Sequence, residues 1–215
     1  MSTNLKISAG LVSAFVVAVA VFLGIANGRD AADTTAGGDS LVVRENSHRL
    51  STAADGKVTV VEFLDFECEA CGAVYPFVEQ LREDYAGRVT FVARYFPNPG
   101  HANAENAAVA VEAAAQQGRF EEMYRRMYET QAEWGEQQES RAAVFRTFAE
   151  DMGLDMDSYD TAVADPATLE RVLADREDGL ALDVQGTPTF FLNGEKVEVE
   201  TTDQFIALID AALAG

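Results

Sequence analysis

Two cysteines stand three residues apart in the stretch EFLDFECEACGAVYPFVEQL, Glu62 to Leu81, and Cys68 and Cys71 are the only ones in the chain. Four chemistries use such a pair. A structural zinc site takes four protein ligands. Beyond the cysteines the chain offers only His48 and His101, each alone in sequence, so no metal is expected. Covalent haem attachment needs a histidine directly after the second cysteine, and Gly72 stands there. A structural disulfide remains open, although a loop this short constrains the unfolded chain little. A redox-active dithiol uses the spacing best. Disulfide exchange proceeds by thiolate attack through a mixed disulfide. One sulfur must therefore be exposed and acidic, and the other must stand close enough to resolve the intermediate. In the first turn of a helix, Cys68 lies at the N-terminus, where free N–H groups and the helix dipole favour its thiolate. Cys71 lies one turn in and is buried. Cys68 is thus the expected nucleophile and Cys71 the resolving thiol.

The elements around the pair follow from its neighbours. Lys57 to Phe63, KVTVVEF, reads as a buried strand. From Cys71 onward Val74, Phe77, Val78 and Leu81 recur at helical spacing, with Pro76 expected to kink the helix. Arg88 to Phe96, RVTFVARYF, is a second strand, which completes a strand–helix–strand unit. A helical block follows: 103–117, 120–134, 141–152, a short helix near 156–163, and 166–182. Phe120, Met123, Tyr124, Met127 and Tyr128 share one side and read as its core. Thr189 to Leu192 is a strand, Asn193-Gly194 a two-residue hairpin signal, Lys196 to Val199 a returning strand, and 203–213 an amphipathic helix. The fold class is α/β with a helical insertion. Glu62 is a lone charge in an apolar strand: it either points to water at a strand edge or is a buried acid placed for proton transfer.

The rest of the chain bounds the setting. Ser8 to Ala26 is a run of nineteen uncharged, mostly apolar residues with Lys6 before it. That length matches a bilayer's hydrocarbon core, and the positive flank orients the N-terminus to the cytoplasm. Residues 1–26 are read as a signal-anchor transmembrane segment. Cleavage as a signal peptide is the alternative, because Gly24-Ile25-Ala26 is a small-x-small site. Residues 27–40 have no large apolar side chain and read as a flexible tether of roughly 20 Å. The folded domain is expected at 41–215. A formal net charge of −20 argues against nucleic acid and against docking on anionic headgroups. His48, His101 and Trp134 receive no functional role, and both histidines are expected at the surface.

EFLDFECEAC, RYFP at Arg94 to Pro97, HANAENAAVAVEAAAQQGRFEEMY from His101, and VQGTPTFFLNG at Val184 to Gly194 together resemble the DsbA-like branch of the thioredoxin superfamily. The resemblance covers the chain from about Leu41 onward. It implies a thioredoxin fold with an inserted helical domain at about 101–183 and extracytoplasmic thiol–disulfide oxidoreductase activity. It implies that Pro188, in Gly186-Thr187-Pro188-Thr189, faces the cysteines in a cis peptide bond. The Thr187 backbone is then free to pair with a substrate chain. It also implies that Glu62 is the buried acid that takes and returns the Cys71 proton. The pair between the cysteines, Glu69-Ala70, departs from the uncharged pairs common in strongly oxidising relatives. Negative charge at Glu67 and Glu69 disfavours a thiolate at Cys68 and hence a strong oxidant, while the helix N-terminus opposes that effect. The expected activity is oxidation of cysteine pairs in exported proteins, with no cofactor, by a membrane-anchored monomer. A membrane redox partner would recycle the dithiol. A single-pass cell-membrane location is expected, or secretion if the leader is cleaved. A reductase or isomerase of the same fold is the nearest alternative. A non-catalytic thioredoxin-like binding module is the alternative of another kind.

Overall fold

The computed structural model describes residues 40–215. The expected membrane segment, and the tether up to residue 39, lie outside the described residues. Among the described residues no helix is long and apolar enough to cross a membrane.

Five strands form one sheet in the order β1-β3-β2-β4-β5. They are β1 His48–Ser51, β2 Thr59–Leu64, β3 Thr90–Tyr95, β4 Thr189–Leu192 and β5 Glu195–Val197. β2 and β3 pair in parallel, joined by helix α1, Glu69–Asp84; the other pairings are antiparallel. Six helices then intervene before β4: α2 Ala104–Ala115, α3 Phe120–Glu129, α4 Gln131–Trp134, α5 Ala142–Asp151, α6 Met156–Ala164 and α7 Pro166–Ala181. Helix α8, Thr202–Ala214, closes the chain. The β4–β5 turn places Asn193 and Gly194 both at positive φ, 50° and 89°, as a two-residue hairpin with right-handed twist requires.

Central strands buried on both faces read as continuous apolar runs, and the pleat decides which neighbour each side chain meets. Val60 and Leu64 pack into the larger core, with Cys71 and Leu81 of α1, Phe205 and Ile209 of α8, and the inserted helices. Val61 and Phe63 point the other way, into a smaller core with Val92, Phe96 and Phe191. Glu62 shares the parity of Val60 and Leu64, so it is carried to the side of the sheet where the cysteines lie.

Two expectations change. Residues 120–134 are not one helix: the Thr130 hydroxyl donates to the Arg126 carbonyl at 2.7 Å, α3 ends there, and α4 restarts at Gln131. The edge strand β1 was not anticipated, because HRLS is four residues of mixed character.

Candidate active site

Cys68 is the residue that caps α1. Its backbone is extended (φ −67°, ψ 118°), and its carbonyl accepts from Gly72 N–H at 3.0 Å, opening the helical ladder. The N–H groups of the first turn have no carbonyl to bond, and the Cys68 sulfur lies beside those of Ala70 and Cys71. Its thiol also donates to the Thr187 carbonyl at 3.3 Å. Both cysteines are free thiols here, Cys68 partly exposed and Cys71 buried. The Cys68 pKa is pulled down to about 5. A hydrogen bond from the Cys71 thiol is the largest cause; the Thr187 side chain and the two backbone N–H groups add to it against partial desolvation. Cys71 moves the opposite way, pushed up by burial, by its bond to Cys68 and by the nearby Glu62 charge. The surroundings therefore favour the thiolate at Cys68 and the thiol at Cys71. Neither flanking glutamate is among the leading causes of the Cys68 shift. Glu67 is buried and accepts from Asn103 N–H at 2.6 Å.

Glu62 is buried, and its carboxyl makes no hydrogen bond or ion pair among the described residues. Desolvation, then the charges of Glu79 and Cys68, raise its pKa to about 8. The edge-glutamate alternative is thus excluded, and the carboxyl lies within electrostatic reach of both sulfurs.

The Thr187–Pro188 peptide bond is cis, and Thr187 stands against Cys68 as described above. Beside Pro188 runs an open groove of about 710 Å³, lined by Val74 and Phe77 of α1, Phe190, Val197 and Phe205.

The sequence reading missed Asp65 and Gln131 and placed both histidines at the surface. Asp65 accepts from the backbone N–H groups of Glu67 and Asn98 and from His101 Nδ1 at 2.6 Å. His101 is therefore not a free surface residue. Burial works against its charge, but the Asp65 bond and charge outweigh burial and raise its pKa. His48 is likewise partnered, to Glu112 Oε2 at 2.7 Å and stacked on Phe120. From the insertion, Gln131 Nε2 donates to the carbonyls of Phe66 at 2.7 Å and Cys68 at 2.9 Å. The only sequence signal for it is a glycine directly after the second cysteine. Among the described residues no cluster of three or more metal-ligating side chains occurs.

A parallel–antiparallel sheet with a dithiol at a helix N-terminus and a cis proline against it defines a thioredoxin-fold protein. Residues 49–211 match the family described as Thioredoxin, and the chain belongs to that family. A thioredoxin-like oxidoreductase from Silicibacter pomeroyi DSS-3 superposes with a TM-score of 0.67 at 25% identity, covering 84% of this chain and 99% of that one. BdbD from Bacillus subtilis, in its oxidised form, superposes at 0.66 with 20% identity over 77% of this chain and 92% of its own. An alpha-DsbA1 variant of Wolbachia pipientis gives 0.67 with 18% identity over 81% and 94%. The thioredoxin fold that the motifs implied is borne out. Curated relatives include the Na(+)/H(+) antiporter NhaA 3 of Salinispora tropica, 39% identical over 143 residues, 66% of this chain and 21% of that protein. The antiporter NhaA 1 of Mycolicibacterium gilvum is 36% identical over 147 residues, 66% and 22%. The chain spans about a fifth of the length of these relatives.

Proposed function

We propose that the protein is an extracytoplasmic dithiol oxidase that transfers its Cys68–Cys71 disulfide to cysteine pairs of exported proteins. The observation that carries this reading is the placement of the Cys68 sulfur at the N-terminus of α1, beside the N–H groups of Ala70 and Cys71 and the Cys71 thiol, which lowers its pKa to about 5. A stabilised thiolate stabilises the reduced form and makes the disulfide a stronger oxidant. In the forward reaction a substrate thiolate attacks the Cys68 sulfur, and Cys71 leaves with the electron pair. Glu62 delivers its proton to the departing Cys71. A second substrate thiolate then attacks the substrate sulfur of the mixed disulfide and releases Cys68 as a thiolate. Two electrons pass to the dithiol and a disulfide forms in the substrate. A membrane electron acceptor returns the pair to the disulfide. The substrate chain lies against Thr187 and Pro188, with apolar side chains in the groove beside them.

The membrane-anchored, extracytoplasmic placement rests on the apolar run at residues 8–26 and the tether behind it. Matching segments in proteins named as antiporters fit work at a membrane surface. No ion transport is assigned to this chain, because the match covers only about a fifth of those proteins.

Two measurements test the proposal. Full-length Cys71→Ser, exported in cells, should accumulate mixed disulfides through Cys68, and Cys68→Ser should accumulate none. A Cys71→Ser protein that traps nothing would sink the exchange reading and favour a binding module. Equilibration in graded glutathione buffers gives the direction. A potential well above thioredoxin's, which is about −270 mV, makes the chain a disulfide donor; a value at or below it makes it a reductase.

A further inference from the structure

We propose that Gln131, in the helical insertion, is the positioning residue that keeps the Cys68 sulfur against the helix N-terminus. This rests on the reading of Cys68 as the acidic nucleophile. Helix α4 is a short, firmly seated element. Trp134 is buried, packs edge-on against Phe145 with centroids 4.8 Å apart, and donates to the Met127 carbonyl at 3.2 Å. Gln131 reaches from it to the loop before α1. Its amide nitrogen donates to two carbonyls, Phe66 at 2.7 Å and Cys68 at 2.9 Å. Two donated hydrogens use the full donor capacity of a primary amide. The bond to Cys68 falls on the carbonyl that also starts the helical ladder. The two bonds together fix the turn of residues 66–68, and with it the extended backbone that leaves the first-turn N–H groups to the sulfur.

Gly72 carries the second observation. A Cβ there would stand 1.9 Å from Gln131 Oε1 and 2.7 Å from its Cδ. Glycine weakens a helix relative to alanine, yet no side chain fits at this position while the amide is in place. The glycine after the second cysteine is the clearance for the clamp, and local helix stability is given up for it.

The colliding atoms are the far end of a flexible side chain, so Gly72→Ala should leave the fold intact and swing the amide away. It should therefore act like Gln131→Met, which keeps length and removes the donor. The test titrates the Cys68 thiolate in the reduced full-length chain, from the pH dependence of its alkylation by iodoacetamide. Gln131→Met is expected to raise the midpoint by about one pH unit, a tenfold change in the acid dissociation constant. Gly72→Ala is expected to raise it equally without lowering the unfolding midpoint. The double variant should match either single one, because both remove the same bonds. An acidic wild-type thiol with an unmoved Gln131→Met overturns the clamp alone, as do additive effects in the double variant. A wild-type Cys68 with an ordinary midpoint overturns the nucleophile reading and the clamp with it.

Discussion

Glu62 and Arg94 are buried ionisable residues on neighbouring strands, yet the protein treats them in opposite ways. The β2–β3 register sets Glu62 beside Ala93 and Phe63 beside Arg94, so the pleat sends the two to opposite faces of the sheet. Arg94 has no exposed side-chain surface, and its charge is met by two carboxylates. It meets Asp175 at 2.8 Å and Asp178 at 2.6 Å, donates to the carbonyls of Leu41 and Val42, and lies over the Phe63 ring. Arg44 and Arg171 complete the network on the two aspartates. Glu62 has no such partner among the described residues. Nearby, the hydroxyls of Tyr124 and Tyr128 are buried without a hydrogen-bond partner among the described residues. Compensation turns a buried charge into a fastener, here between β3, α7 and the segment entering the domain. Leaving a carboxyl uncompensated makes it keep its proton to about pH 8, which is what the proposed proton transfer to Cys71 needs. On that proposal one face of the sheet holds and the other reacts.

The sharpest break of this contrast is Arg94→Met. It leaves Asp175 only Arg171 and Asp178 only Arg44, and breaking a buried ion pair costs up to about 3–5 kcal/mol. Domains of this kind have only about 5–15 kcal/mol in total. Denaturant unfolding should show the loss, while the Cys68 thiolate titration of the remaining folded protein should not move. A displaced titration would mean that the two faces are coupled through the sheet.

Glu62→Gln should do the reverse on both counts. A carboxyl whose folded pKa is raised favours folding fully below its ordinary value of 4.5 and loses that contribution as pH rises through about 8. The amide carries no such penalty. The variant should match the wild type near pH 4 and become more stable than it at pH 8. Each tenfold change in a carboxyl's acidity is worth about 1.4 kcal/mol, so the rise from 4.5 to about 8 bounds the gain at about 5 kcal/mol. Exchange should slow by about a hundredfold, the lower range for a lost general acid–base group. Unfolding curves at the two pH values and single-turnover exchange read both. A variant that is destabilised at pH 8 would show that Glu62 has a partner and is a fastener too.

The sequence disclosed these features unevenly. The cysteine pair was legible because exchange chemistry fixes the spacing, and Glu62 because a charge in an apolar strand has few explanations. Pro188 and Thr187 were legible only through the resemblance, since nothing local brings residue 187 to residue 68. The weight of Glu67 against the helix N-terminus could not be read locally, because its bond to Asn103 crosses 36 residues. Gln131 was invisible for the same reason: its partners lie 65 and 63 residues away. The Arg94 network joins β3 to carboxylates more than eighty residues on, and strand periodicity marks such an arginine only as out of place.

Glu69, between the cysteines, supplies the smallest effect and the control for the other two. It is exposed, and its carboxyl shares a hydrogen bond with Glu136, which raises the Glu136 pKa. An exposed charge acts through water and salt, not through a buried contact. Glu69→Gln should therefore lower the Cys68 midpoint by only a few tenths of a pH unit at low ionic strength. The difference should vanish near 1 M salt, where screening acts over about 3 Å. Glu136, released from its carboxyl partner, should titrate lower than in the wild type by carboxyl NMR. Stability should fall slightly, because an acidic residue in the first turn favours the helix. A tenfold change in Cys68 acidity that survives high salt would instead make the intervening residues the determinant of the potential. The helix N–H groups, Cys71 and Thr187 would then lose the role that the geometry gives them.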